Sequence, residues 1–331
     1  DLVQEVFRQA LKAGAHPETW ITLNGLARTL YDEGSPEQLR YTSPLYRHAV
    51  EHFEAILSIR APFNVKELQT VDPEKKKTAS MADAGVRKVF KERAASGDLK
   101  WTLCEFPTAS QAQESGFGNR EYEEFIFSAC FLDRDDPEGE WRAIHDVQQR
   151  VVALLNGREI VRIKGRDTDI SFSTKGRKWI NSDGKHNMPS GEVYTSPQET
   201  SVNGRVRFSF PGIYMGQEIE DVRLEVRDGL VYAWEAAEGK ALLDSILEIP
   251  GANRFGEAAI GMNRGIDRFT KNMLFDEKMA GTIHMALGSS YGEAGGRNES
   301  AIHWDLLADM KDGGEIYADG EMIYRNGEFL F

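Results

Sequence analysis

Four residues near the C-terminal end have types and spacing suited to chemistry: His284, Tyr291 seven positions on, and then His303 and Asp305 two positions apart. On a strand, residues two apart share a face, so His303 and Asp305 aim an imidazole and a carboxylate at one point. Apolar Ala301 and Ile302 precede the pair and Leu306 and Leu307 follow it, as expected of a largely buried strand. A buried histidine and aspartate need partners, which are either each other and the backbone or a metal ion. The rest of the chain must decide between these.

Two acids upstream sit in unusual settings. Glu192 lies in a stretch stiffened by Pro189 and Pro197, and Glu257 lies in the apolar, small-residue run Phe255-Gly256-Glu257-Ala258-Ala259-Ile260-Gly261. An unpaired buried carboxylate is costly, and a metal ion would be a partner for it.

The 331 residues suffice for about two domains. Acidic residues outnumber basic ones 53 to 40, for a net charge of −13, and the one basic tract is Lys75-Lys76-Lys77, so nucleic acid is not an expected partner. No apolar run reaches the roughly 18 residues of a membrane span. Cys104 and Cys130 are the only cysteines and have no ligand spacing, which fits a reducing, cytoplasmic setting. The chain opens at Asp1 inside an amphipathic pattern, from which we expect its natural beginning to lie upstream.

The elements alternate in the first half. A helix ends near Gly14, Glu18–Leu23 reads as a strand, residues 45–53 as a helix, and Ala55–Ile59 as a buried strand. Residues 80–96 follow as one basic amphipathic helix, and Lys100–Cys104 as a further strand. This order implies a mainly parallel sheet flanked by helices. Gly116-Phe117-Gly118 lacks the third glycine of a dinucleotide fingerprint and does not close a strand.

After a helix over Arg142–Leu155 the style changes at Asn156-Gly157 to short alternating strands and tight turns, including Asp319-Gly320 and Asn326-Gly327, whose residue types favour type I′ hairpins. The expected division is an α/β N-terminal domain over residues 1–156 and a β-rich α+β domain over 157–331 that carries the metal site.

Several segments together resemble the thermophilic metallo-aminopeptidases of the aminopeptidase T and aminopeptidase S type. They are Asn187-Met188-Pro189 with Glu192 and Thr195-Ser196-Pro197, Gly256-Glu257, Leu274-Phe275-Asp276-Glu277, His284 through Gly288 with Tyr291, Asn298, and His303-Trp304-Asp305. Phe106-Pro107-Thr108-Ala109 and Glu121-Tyr122-Glu123-Glu124 extend the likeness into the first half. The resemblance implies a pair of divalent ions held by Glu192, Glu257, His284, His303 and Asp305, with Tyr291 as an assisting hydroxyl. Three carboxylates and two imidazoles in that implied set suit borderline or hard ions such as zinc, cobalt or manganese, and the lack of cysteine argues against a closed structural zinc site. It also implies short peptides with a free N-terminus as substrates, and a homodimer. The segment between Tyr291 and His303 is shorter than family members can carry, and the first strand expected of the family's N-terminal domain is missing from the sequence.

A metal pair of this kind lowers the pKa of a water to roughly 7 and clamps both oxygens of a tetrahedral intermediate. Either Glu257 or Glu192 would bridge the ions, a carboxylate beside the water would act as base, and Tyr291 would donate a hydrogen bond to the developing oxyanion. Two other readings stand beside the aminopeptidase: a two-metal amidase acting on blocked or non-peptide amides, and a non-catalytic peptide-binding scaffold.

Overall fold

The computed structural model describes residues 2–331, which form two compact units, one ending at Ser110 and the other running from Gln111 to Phe331. The first unit is α/β. Its strands Ala55–Arg60 and Lys100–Glu105 pair in parallel, from Ala55 opposite Lys100 to Arg60 opposite Glu105. Parallel neighbours need a long crossover, and the chain supplies it with the helices Pro73–Ala82 and Ala84–Ser96.

Three expectations for this unit need correction. Glu18–Leu23 is not a strand: the segment is unpaired, and Trp20, Ile21 and Leu23 are 60–71% exposed. β-Branched and aromatic residues favour a pleated surface only where a neighbouring strand provides one. Residues 80–96 are not one helix, because Asp83 ends the helix before it and begins the next. The strand Ala55–Arg60 is largely exposed within the chain, with Leu57 47% open.

The second unit is β-rich. It begins with helices, of which Pro137–Asn156 is the longest, started by the Asp136 side chain accepting from the Gly139 N–H and by proline at the first turn. That helix buries Gln148, Val151, Val152 and Leu155, one stripe at helical spacing. The change of style at Asn156-Gly157 coincides with its end. Two sheets follow. An eight-stranded antiparallel sheet includes Ile160–Gly165, Thr168–Ser173, Asn203–Phe208 and Val222–Arg227, and the hairpins at its far edge turn through Asp319 and Asn326 at φ 49° and 50°.

The five-stranded sheet has the order His303–Asp309, Thr282–Gly288, Phe255–Gly261, Glu192–Thr195, Ile180–Ser182, all antiparallel. One continuous core joins the two sheets. Ile163, Ile170, Phe172, Phe208 and Leu224 come from the larger sheet, and Val193, Ile260, Ile283, Met285, Leu287 and Leu306 from the smaller. Because side chains alternate, Glu192, Glu257, His284, His303 and Asp305 all fall on the opposite face of the smaller sheet.

Candidate metal centre

The register of three strands sets the site. Glu257, Ala286 and Asp305 stand in one row across the sheet, His284 lies opposite Ala259, and Glu192 lies opposite Gly261. Small residues between the chemical ones leave room above the sheet. Glu257 owes its direction to a β-bulge: Phe255 pairs with Leu287 and Glu257 with Ala286, so Gly256 is the extra residue. The bulge sends Phe255 into the core and Glu257 to the other face. A Cβ on Gly256 would lie 2.4 Å from the carbonyl oxygens of Gly288 and Ser289, which restricts this position to glycine.

The side chains meet closely. His303 Nε2 is 2.9 Å from Glu257 Oε2 and 3.5 Å from Asp305 Oδ1. His284 Nε2 is 3.4 Å from Glu192 Oε2 and 3.8 Å from Glu257 Oε1. Glu257 thus turns one oxygen to each histidine. The Nδ1 of His303 lies 2.7 Å from the Ser289 carbonyl oxygen, which only accepts; Nδ1 therefore carries a proton, and Nε2 is the atom turned to the cluster, free to ligate an ion once its own proton is displaced.

A sixth residue joins that carried no role in the sequence reading. Two groups of three have ligand atoms within 4.8 Å of one another: Glu257, His303 and Asp305, and Glu277, His284 and Asp305. Glu277 arrives from the turn after the short helix Met273–Asp276, not from the sheet. That turn lies directly on the sheet because a Cβ on Gly261 would sit 2.2 Å from the Met279 carbonyl oxygen. The available signal was the charged triplet Asp276-Glu277-Lys278 between apolar Leu274-Phe275 and Met279-Ala280, an arrangement unlike a solvated loop.

The five residues expected from the sequence are all brought to this cluster, and Tyr291 stands at its edge. Its ring is 5.0 Å from that of His303 and 5.2 Å from that of Tyr194. The Tyr291 N–H donates to Ser196 Oγ at 3.1 Å, and the Tyr194 hydroxyl donates to Glu293 Oε1 at 2.7 Å, so the loop carrying Tyr291 is tied to the Glu192 strand twice. Asn298 fastens the far end of this loop by donating to the carbonyls of Gly251 and Gly288.

The electrostatics follow from four acids in one buried place. Burial disfavours a charged His284, yet its hydrogen bond to Glu257 and the charge of Glu192 raise it to about 9. His303 is likewise held well above its ordinary value, Asp305 foremost overcoming burial. Burial raises Asp305, but His303 and His284 outweigh it and lower the carboxyl to about 2. Glu277 goes the other way, pushed to about 7 by burial against the pull of Lys278. Burial, then Glu257 and Asp305, keep the Tyr291 phenol protonated well past its usual range.

The donor set fits a pair of divalent ions. Glu192 Oε2 and Asp305 Oδ1 are buried polar atoms with no hydrogen-bond partner, an expensive state for a carboxylate oxygen that a cation would relieve. Carboxylates and imidazoles without thiolates match hard or borderline ions.

Comparison with known proteins agrees with this geometry. The family model described as thermophilic metalloprotease (M29) matches residues 1–329. The chain is similar to Aminopeptidase 2 of Geobacillus stearothermophilus, at 29% identity over all of this chain and 90% of that one. It is also similar to Aminopeptidase T of Thermus thermophilus, at 30% identity over 80% of this chain and 74% of that one. Among solved structures, wild-type AmpT from Thermus thermophilus superimposes with a TM-score of 0.84 at 26% identity, covering 99% of this chain and 91% of that one. A dioxygenase from Pseudomonas putida, at 14% identity and a TM-score of 0.51, shares the fold alone.

Proposed function

Because the chain belongs to the thermophilic metalloprotease family, we propose that it is a metal-dependent aminopeptidase that removes N-terminal residues from short peptides with a free amine. The observation that carries this reading is the pair of ligand triads sharing Asp305. Glu192, Glu257, Glu277, His284, His303 and Asp305 would hold two divalent ions, with zinc, cobalt or manganese suited to the donor set. Bound there, such ions supply an acidified water and a polarised carbonyl near neutral pH.

The protein's own groups do the rest. Glu257, with one oxygen toward each histidine, would be a ligand within reach of both ions. Asp305, common to both triads, keeps its charge through the working pH range. Tyr291 stays protonated and donates its O–H to the oxygen on which negative charge develops, while the ties through Ser196 and the Tyr194–Glu293 pair hold it in place. Residues 157–331 form the catalytic part in this assignment.

The test is amine release from an unblocked tripeptide, stopped by a chelator and restored by zinc, cobalt or manganese. Its N-acetylated counterpart should remain intact. Hydrolysis that persists after complete metal removal overturns the reading, and equal cleavage of the acetylated peptide moves it to an amidase.

Among the described residues no helix is long and apolar enough to cross a membrane. Neither Cys104 nor Cys130 is in a disulfide among the described residues, which supports a cytoplasmic setting, and the family likeness supports a homodimer. Cell fractionation and sedimentation velocity check these two assignments.

A further inference from the structure

Lys278 is fully buried, and its Nζ sits between two carboxylates from different parts of the chain. It lies 3.3 Å from Glu192 Oε1 and in direct contact with Glu277 Oε1. The backbone that delivers it is fixed: its N–H donates to the Phe275 carbonyl at 3.0 Å, and its own carbonyl accepts from the Asn263 N–H at 2.9 Å. Asn263 is itself buried, donating its side-chain amide to the carbonyls of Ala129 and Ser190. With no exposure, this ammonium stays near its two acids and does not reach a substrate.

The two oxygens of Glu192 therefore have different surroundings. Oε1 is taken by the ammonium, whereas Oε2 has no hydrogen-bond partner and stands 3.4 Å from His284 Nε2. Glu277 likewise gives its Oε1 to Lys278, and it belongs to the triad with His284 and Asp305. We propose that Lys278 is a positioning residue that assigns one oxygen of Glu192 and one of Glu277 to the divalent ions and withholds the other.

The inference rests on the metal-site reading given above. Its physical basis is that an oxygen in a charge-assisted hydrogen bond has a lone pair committed, and a cation approaching it would close on the ammonium charge. One oxygen per acid leaves coordination positions for water and substrate, which catalytic sites need and closed structural sites lack.

Cobalt gives the readout, since its visible absorption weakens as the number of ligating atoms rises. Cobalt-loaded Lys278→Met, in which both oxygens become free, should show a several-fold lower visible absorptivity per bound ion than the unaltered chain. An unchanged spectrum overturns the proposal. A crystal structure of the cobalt-loaded unaltered chain gives the same answer independently of how the variant folds: Glu192 should ligate through Oε2 alone, with Lys278 Nζ still on Oε1. Ligation through Oε1 or through both oxygens overturns the role of Lys278 and leaves the metal site standing. Failure of the unaltered chain to bind cobalt overturns both.

Discussion

The two faces of the five-stranded sheet share one backbone and have opposite chemistry. On one face Ile283, Met285 and Leu287 enter the core shared with the larger sheet; on the other, His284 belongs to the metal cluster and Ala286 lies between Glu257 and Asp305. Each residue of the strand Thr282–Gly288 is buried, so burial alone does not separate them. The difference is what each side needs to be complete. The core face is complete with hydrocarbon, whereas the site face holds carboxylate oxygens without partners. One face thus contributes stability and the other stores an electrostatic debt that an ion settles.

Substitutions on the two faces should separate accordingly. Tyr291→Phe at the edge of the site face should lower kcat by about 10²- to 10³-fold, the usual cost of a lost oxyanion donor. Metal content and melting temperature should stay unchanged, as steady-state kinetics beside elemental analysis would reveal; full turnover would remove the role. Met285→Ala, one residue from His284 but on the core face, should cost about 2–5 kcal/mol in denaturant unfolding and leave two ions per chain. Loss of metal without loss of stability would break the distinction between faces.

A smaller effect is the pH dependence of the metal-free chain. His284 is raised to about 9 from an ordinary 6.5, so the stability it contributes is full below 6.5 and is lost as pH rises through 9. Glu277, raised from 4.5 to about 7, acts in the same direction, its contribution lost as pH rises through 7. Asp305, lowered to about 2, contributes stability that is lost only as pH falls through 2, outside this window. The melting temperature of the chelated protein should therefore fall between about pH 6 and 9, and metal loading should flatten the slope. A rising melting temperature over that range would mean that the acids of the site face do not interact as described.

How much could be read from the sequence follows the same division. His303 and Asp305 were legible as a pair because the strand period is two and the flanking residues are apolar, and Glu257 because an acid among alanines and glycines needs a reason. The alternation of helices and strands in the first half gave the α/β class, and Asn156-Gly157 marked the start of the antiparallel part. Glu277 was not legible as part of the cluster, since its place depends on a turn lying against a strand, a contact between segments that no local pattern encodes. Glu18–Leu23 failed for the converse reason: its residues suit a strand, but no neighbour pairs with them. Asp83 divides a stretch whose composition is helical throughout.

Gly256 and Gly261 bracket the Glu257 strand, and each holds its place by lacking an atom. One lets the strand bulge past Gly288 and Ser289; the other admits the Met279 carbonyl. Neither has a side chain that could bind, titrate or donate, so an inventory of reactive residues passes over both. Yet one extra methyl group at Gly256 would redirect the carboxylate beside it, and one at Gly261 would displace the turn that carries Glu277. The blueprint of this centre is thus written partly in vacant positions, and a graft of its six proposed ligands onto another sheet without those two gaps would carry the ingredients and lose the arrangement.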